Sequence, residues 1–152
     1  MISRITSLFV DALTEFMETM VGLECTIVPM SEVDQWNAEI SGVVAVSGNP
    51  NGKVAVSFPR DLGRSVVARV MGKDINEVDE EALCDGIGEI ANIIAGNAKG
   101  RLSQLGFDLT ISLPSTLNTD CCVDSTRADW TVQYEIRTSL GKYKLSIWLT
   151  AA

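Results

Sequence analysis

The sequence predicts an α+β domain with internal pseudo-twofold symmetry, in which two long helices and a short one pack on a mostly antiparallel sheet of about six strands. Two echoes within the chain carry this expectation. Two amphipathic segments repeat at a shift of 74 positions, laying Asp11, Glu15, Glu18 and Gly22 over Asp85, Glu89, Asn92 and Gly96. Two β-rich hairpins repeat more loosely at a shift of 89, with Gly52-Lys53 over Gly141-Lys142 and Ser57 over Ser146. Two helix-plus-hairpin halves that share one sheet satisfy both echoes. The third observation is compositional: the 152 residues are 46% hydrophobic and 21% charged, which supplies one ordinary core at this length and argues against disorder. No Pro-rich, low-complexity or charge-block segment divides the chain, so residues 1–152 are read as a single domain.

Each element has its own signal. From Ile5 to Met20 the apolar residues Ile5, Leu8, Phe9, Leu13, Phe16, Met17 and Met20 follow helical i, i+3, i+4 spacing, and Gly22 closes the run. After Cys25–Pro29 come two β-rich runs, Ile40–Ser47 and Lys53–Phe58, joined through Gly48-Asn-Pro-Asn-Gly52, a strong turn signal. Pro59-Arg-Asp61 opens a short helix that runs to about Met71, where Gly72 stops it. The longest helix should start near Val78-Asp79 and end at Leu105, because Leu83, Ile87, Ile90, Ala91, Ile94, Ala98, Leu102 and Leu105 recur on one face. Leu109–Leu113 reads as a strand ending at Pro114, Asp120–Asp129 as loop and strand edge, and Trp130–Arg137 with Lys142–Thr150 as the second hairpin.

Composition excludes whole classes of function. With 20 Asp plus Glu against 12 Lys plus Arg, the chain repels phosphate backbones and anionic lipid, so neither nucleic acid nor a membrane surface is an expected partner. There is no histidine, which removes Ser/His/Asp and Cys/His catalysis and histidine-based zinc sites together. The four cysteines, Cys25, Cys84, Cys121 and Cys122, form no CxxC pair, and no metal site is expected. Asp11, Glu15 and Glu18 interrupt the N-terminal run before a signal-peptide core can form, and no uncharged apolar run approaches the roughly 20 residues of a membrane span. The expected location is the cytoplasm, with reduced thiols.

The longest helix carries the candidate chemistry. At about 100° per residue, Asp85, Glu89, Asn92, Gly96 and Ser103 fall opposite the apolar face and form an exposed stripe. Gly88, Gly96 and Gly100 interrupt it, each costing about 1 kcal/mol relative to alanine in a helix interior. Small residues there allow close approach, either by another part of this protein or by a partner docked on the stripe. The plain alternative is a solvated helix face with packing glycines. The chemical alternative rests on Glu89 and Asn92, neighbours at i and i+3. A carboxylate can grip a cation and a carboxamide can orient one water. In phosphoryl transfer, where catalysis is mostly positioning and electrostatics, that equipment suffices if a partner supplies the reactive group.

The run Asp85-Gly-Ile-Gly-Glu89-Ile-Ala-Asn92-Ile-Ile-Ala-Gly96-Asn-Ala-Lys-Gly100, followed by Pro114, resembles the Asp/Ser-xxx-Glu-xx-Asn signature of the bacterial chemotaxis phosphatases CheC, CheX and FliY. Phe58-Pro59 before a short helix, and the order of elements over most of the chain, resemble CheX in particular. The resemblance implies a CheC/CheX-like fold and dephosphorylation of the aspartyl phosphate of a CheY-like response regulator. Glu89 would contact the regulator's lysine and Asn92 would orient the hydrolytic water, with Mg²⁺ supplied by the regulator. Asp85, Gly88, Gly96, Lys99, Gly100 and Ser103 would form the surrounding contact surface, Asp85 being open to a packing or capping role and Pro114 to a structural one. Glu18 stands where a second copy of the motif would need Asn, so one working site is implied. FliY-type proteins carry additional switch-binding segments that this sequence lacks, which favours a free-standing CheX-like protein. The competing readings are a catalytically silent module that docks a regulator or flagellar-switch protein, and a structural dimer subunit. A homodimer is expected together with the CheX resemblance: Ile40–Ser47 and Lys53–Phe58 carry only one charge, Lys53, and at a sheet edge would invite pairing with another chain, as CheX-like proteins do.

Overall fold

The computed structural model describes residues 2–31, 34–121 and 128–150; residues 122–127 of the expected Asp120–Asp129 loop, Cys122 among them, lie outside the described residues. In chain order the elements are helix α1 (Ile2–Phe16), strands β1 (Thr26–Pro29), β2 (Ile40–Gly48) and β3 (Asn51–Phe58), and helix α2 (Arg60–Met71). A 3₁₀ turn at Ile75–Glu77 leads into α3 (Glu80–Gln104), followed by β4 (Leu109–Ile111), β5 (Ser115–Leu117), β6 (Trp130–Thr138) and β7 (Gly141–Thr150). The seven strands form one antiparallel sheet in the order β1-β6-β7-β3-β2-β4, with β5 beside β4 on the outer side of β2.

The expected symmetry is present in the register. The two hairpins meet at the centre through β3 and β7, where Val56 pairs with Leu145. These residues are 89 positions apart, the shift of the hairpin echo, so the pseudo-twofold axis passes through this pair. The outer strands are exchanged between halves: β1 pairs with β6 of the second hairpin, while β4 and β5 pair with β2 of the first. This arrangement overturns the edge argument for dimerisation. β2 is covered on its outer side by β4 and β5, and β3 lies between β2 and β7, so neither β-rich run is an edge. The reason is that a three-residue strand on each side of Leu113-Pro114 suffices to satisfy the free edge of β2.

Both long helices pack on one face of the sheet. Alternate residues Ile40, Val44 and Val46 of β2, Val54, Val56 and Phe58 of β3, and Tyr143, Leu145, Ile147 and Leu149 of β7 meet Ile5, Phe9, Leu13 and Phe16 of α1 and Leu83, Ile87, Ile90, Ile94 and Leu102 of α3. Tyr143 stacks on Phe58 at 4.4 Å and donates to Met17 Sδ at 3.0 Å; complete burial pushes its phenol well above the usual tyrosine range. Two expected core residues lie outside. Past Phe16 the helix widens into a π turn over Met17–Val21, which buries Met17 and Val21 and turns Met20 outward. Leu105 caps the end of α3 and is 44% exposed.

The opposite face of the sheet is polar, which the sequence reading did not foresee. Lys144 is buried there, donating to Trp36 O at 2.7 Å and Asp120 Oδ2 at 2.6 Å with its ammonium 4.9 Å from the Trp36 ring. A buried ammonium is tolerated only with such partners. Its position in the strand alternation follows from Tyr143 and Leu145 facing the helices on either side of it.

Candidate functional site

The site helix is fixed along its whole first half. Asp79 caps α3 by accepting from Ala82 N at 2.8 Å, and Glu80 and Glu81 follow in the first turn, where the helix dipole favours acids. Gly42 of β2 lets α3 lie directly on the sheet, since a Cβ at that position would stand 2.4 Å from the Ile87 carbonyl oxygen. On one flank Thr116 of β5 donates to the Cys84 carbonyl at 2.7 Å. On the other, α2 approaches so closely at Gly86 that a Cβ would lie 2.5 Å from Val67 Cγ1. The helix is therefore held by the sheet, by β5, by α2 and by α1, and its remaining side faces out.

That side carries Asp85, Glu89, Asn92, Gly96, Lys99 and Ser103, spaced alternately four and three residues apart; Gly100 sits beside them. All are exposed except Asn92, which is half-buried. Gly96 and Gly100 have nothing within 4 Å of a built Cβ, so the stripe is open above them. Gly88 departs from expectation. It is buried, with a Cβ position 3.0 Å from Thr116 Oγ1 and 3.6 Å from Pro114 Cβ, and it seats the β4–β5 connection against α3 instead of facing a partner. Pro114 thereby has the structural place expected for it.

Asp85, Glu89 and Asn92 make no side-chain hydrogen bond or ion pair within the described residues. The equivalent position on α1 is engaged: Glu15 accepts from Asn97 Nδ2 at 2.8 Å and is ion-paired with Arg101, both on α3. These two partners, the Asn97 hydrogen bond first, hold the Glu15 carboxyl below its usual range. The sequence reading missed this lock. Asn97 and Arg101 are themselves linked at i and i+4, with Arg101 Nε donating to Asn97 Oδ1 at 2.8 Å, a local signal that marks them as a pair though not their target. Glu18, opposite Asn92 in the echo, lies in the π turn, so the geometry of the α3 motif is not repeated around it. Also missed was a cleft of 220 Å³ between α2 and α3, lined by Val67, Val70, Met71, Asp85, Gly86 and Glu89. Among the described residues no group of three or more Cys, Asp or Glu is placed to hold a metal ion, and no helix is long and apolar enough to cross a membrane.

An antiparallel sheet with two long helices on one face is the fold of the CheC- and CheX-like proteins. The family profile described as chemotaxis phosphatase CheX matches residues 40–128, from β2 through the whole of α3 and past β5. The chain belongs to this family. A protein of Thermotoga maritima named CheY-P phosphatase CheX is 28% identical over 119 residues, covering 76% of each chain. A crystal structure of the chemotaxis protein CheX of Desulfovibrio desulfuricans superimposes with a TM-score of 0.79 at 25% identity, over 96% of this chain and 99% of that one. A Borrelia burgdorferi structure, described as a CheX–CheY–BeF₃–Mg²⁺ complex, matches at a TM-score of 0.77 and 19% identity over 95% and 97% of the two chains.

Proposed function

We propose that the protein dephosphorylates the aspartyl phosphate of a CheY-like response regulator, with Asn92 orienting the attacking water and Glu89 gripping a lysine of the regulator. The observation that carries this reading is the unengaged state of Glu89 and Asn92 on a helix held rigid on its other sides, against the engagement of Glu15 at the echoing position. The relative named as a CheY-P phosphatase and the neighbour bound to CheY supply the class of substrate.

The division of labour follows from the functional groups. The water oxygen forms a new P–O bond while the bond from phosphorus to the regulator's aspartyl oxygen breaks, releasing a carboxylate and inorganic phosphate that carries the water's protons. The Asn92 carboxamide can accept from this water and also donate, whereas a carboxylate could only accept and would oppose the phosphoryl oxygens. Glu89 lies one turn toward the helix start, and its charge pairs with the ammonium of the docked regulator. Mg²⁺ belongs to the regulator's own phosphorylation site in this reading. Asp85, Gly96, Lys99, Gly100 and Ser103 form the open surface along which the regulator lies.

The test is the lifetime of a phosphorylated CheY-like receiver from the same organism, with and without the purified protein. Catalytic shortening at substoichiometric protein is expected; an unchanged lifetime would refute the activity.

A further inference from the structure

The cleft between α2 and α3 opens beside the reactive residues and has no role in the chemistry above. The two helices approach tightly at Gly86 and Val67. Helix α2 then stops at Gly72, whose left-handed φ of +64° turns the chain away, so the last turn leaves Val70 and Met71 standing over α3. Val67, Val70, Met71 and Gly86 give the cleft carbon walls, and only Asp85 and Glu89 bring charge to it. Glu89 lines the cleft and belongs to the exposed stripe as well, so a protein seated on Glu89 also covers the cleft. At 220 Å³ the space falls below the roughly 300–1,000 Å³ of small-molecule sites and suits one side chain. Met71 is 48% exposed and Val70 half-buried, an accessible apolar recess at the margin of a polar surface. Protein interfaces place their anchors in such recesses, and a methionine wall adapts to the shape that enters.

We propose that the phosphorylated receiver inserts a large apolar side chain into this cleft, and that Val70 and Met71 thereby set the affinity for that receiver. The proposal rests on the receiver-phosphatase reading. The two carboxylates on the cleft, on a chain of net charge −8, disfavour a second copy of this protein as the occupant and favour a partner that presents an apolar side chain next to a cation. Asn92 acts on the water; the cleft acts on recognition, so the two contributions separate kinetically.

The experiment compares wild type, Met71→Glu and Met71→Leu for binding to a CheY-like receiver of the same organism charged with beryllofluoride and Mg²⁺, and for turnover of the phosphorylated receiver. Met71→Glu should raise Kd and KM about tenfold or more while kcat at saturating receiver is retained, the size expected for spoiling an anchor pocket. Met71→Leu, similar in volume, should stay within about threefold of wild type. Unfolding curves check that both variants fold, as expected for a side chain half in solvent. If Met71→Glu binds with the wild-type Kd, the cleft is not the receptor, and the phosphatase reading stands. If Met71→Glu loses kcat with Kd unchanged, the assignment to recognition is overturned. If wild type binds no charged receiver, the reading and the cleft both fall.

Discussion

Replacing Asn92 by alanine should separate chemistry from folding in one step. Asn92 is half-buried on α3 and its side chain forms no hydrogen bond within the described residues, so its removal breaks no internal side-chain hydrogen bond. In a helix interior asparagine is less favourable than alanine by up to about 0.7 kcal/mol, so the variant's Tm should be unchanged or slightly raised. The rate should move in the opposite direction. Losing one preorganised polar group aimed at the reacting atoms costs about 10²–10³-fold, or roughly 2.7–4 kcal/mol of activation free energy. Receiver binding should be nearly retained, because the amide contributes positioning and Glu89 remains to hold the docked cation. The assay follows decay of the phosphorylated receiver at saturating protein, with Kd for the beryllofluoride-charged form measured in parallel. Asn92→Asp sharpens the test: it keeps the shape but offers only acceptors, and should be no more active than alanine. A variant with stable fold, intact binding and near wild-type decay would remove Asn92 from the mechanism.

Glu89→Lys should lose affinity and rate together, since it places like charges in contact and leaves the regulator's lysine unpaired; normal turnover by this variant would disprove the grip. Glu15→Ala should keep phosphatase activity within a few-fold of wild type, because Glu15 is committed to Asn97 and Arg101; a large loss with the fold intact by circular dichroism would move the site to α1. The same variant carries a pH signature. Asn97 and Arg101 hold the Glu15 carboxyl below its ordinary value of 4.5, so its stabilisation is complete above that pH and fades as the pH falls through the lowered folded value. Wild type should therefore melt above Glu15→Ala near neutrality, and the two curves should converge in acid. Gly42→Ala should lower stability by about 1–3 kcal/mol in denaturant titrations, because the added methyl meets the Ile87 carbonyl at 2.4 Å and must lift α3 from β2.

How far the sequence revealed this architecture depended on the range of each signal. Helix α3 was expected from Val78-Asp79 to Leu105 and runs Glu80–Gln104, because its capping aspartate and apolar period are both local. Both hairpins and α2 were legible for the same reason. The motif residues were legible through their resemblance to a family signature, and the structure leaves their side chains unengaged. What escaped was set by distant neighbours. β5 has three residues and exists because β2 needs an outer partner. Gly88 resembles Gly96 in sequence, yet the β4–β5 connection covers one and leaves the other open. Whether β2 is an edge, and what Glu15 binds 82 and 86 positions away, are facts of assembly that no local period records.

The exchange of outer strands sets the terms on which the two halves could diverge. β1 needs the second hairpin as a neighbour, and β2 needs β4 and β5 from the second half, so neither half holds a complete sheet of its own. Reduction to the half that bears Glu89 and Asn92 is therefore closed off. The α1 half contributes packing and a tie: its apolar face completes the core, and Glu15, at the position that echoes Glu89, is ion-paired with Arg101 of α3. The exposed surface of α3 thus comes with an obligatory companion, and economy of length is surrendered to the topology that joins them.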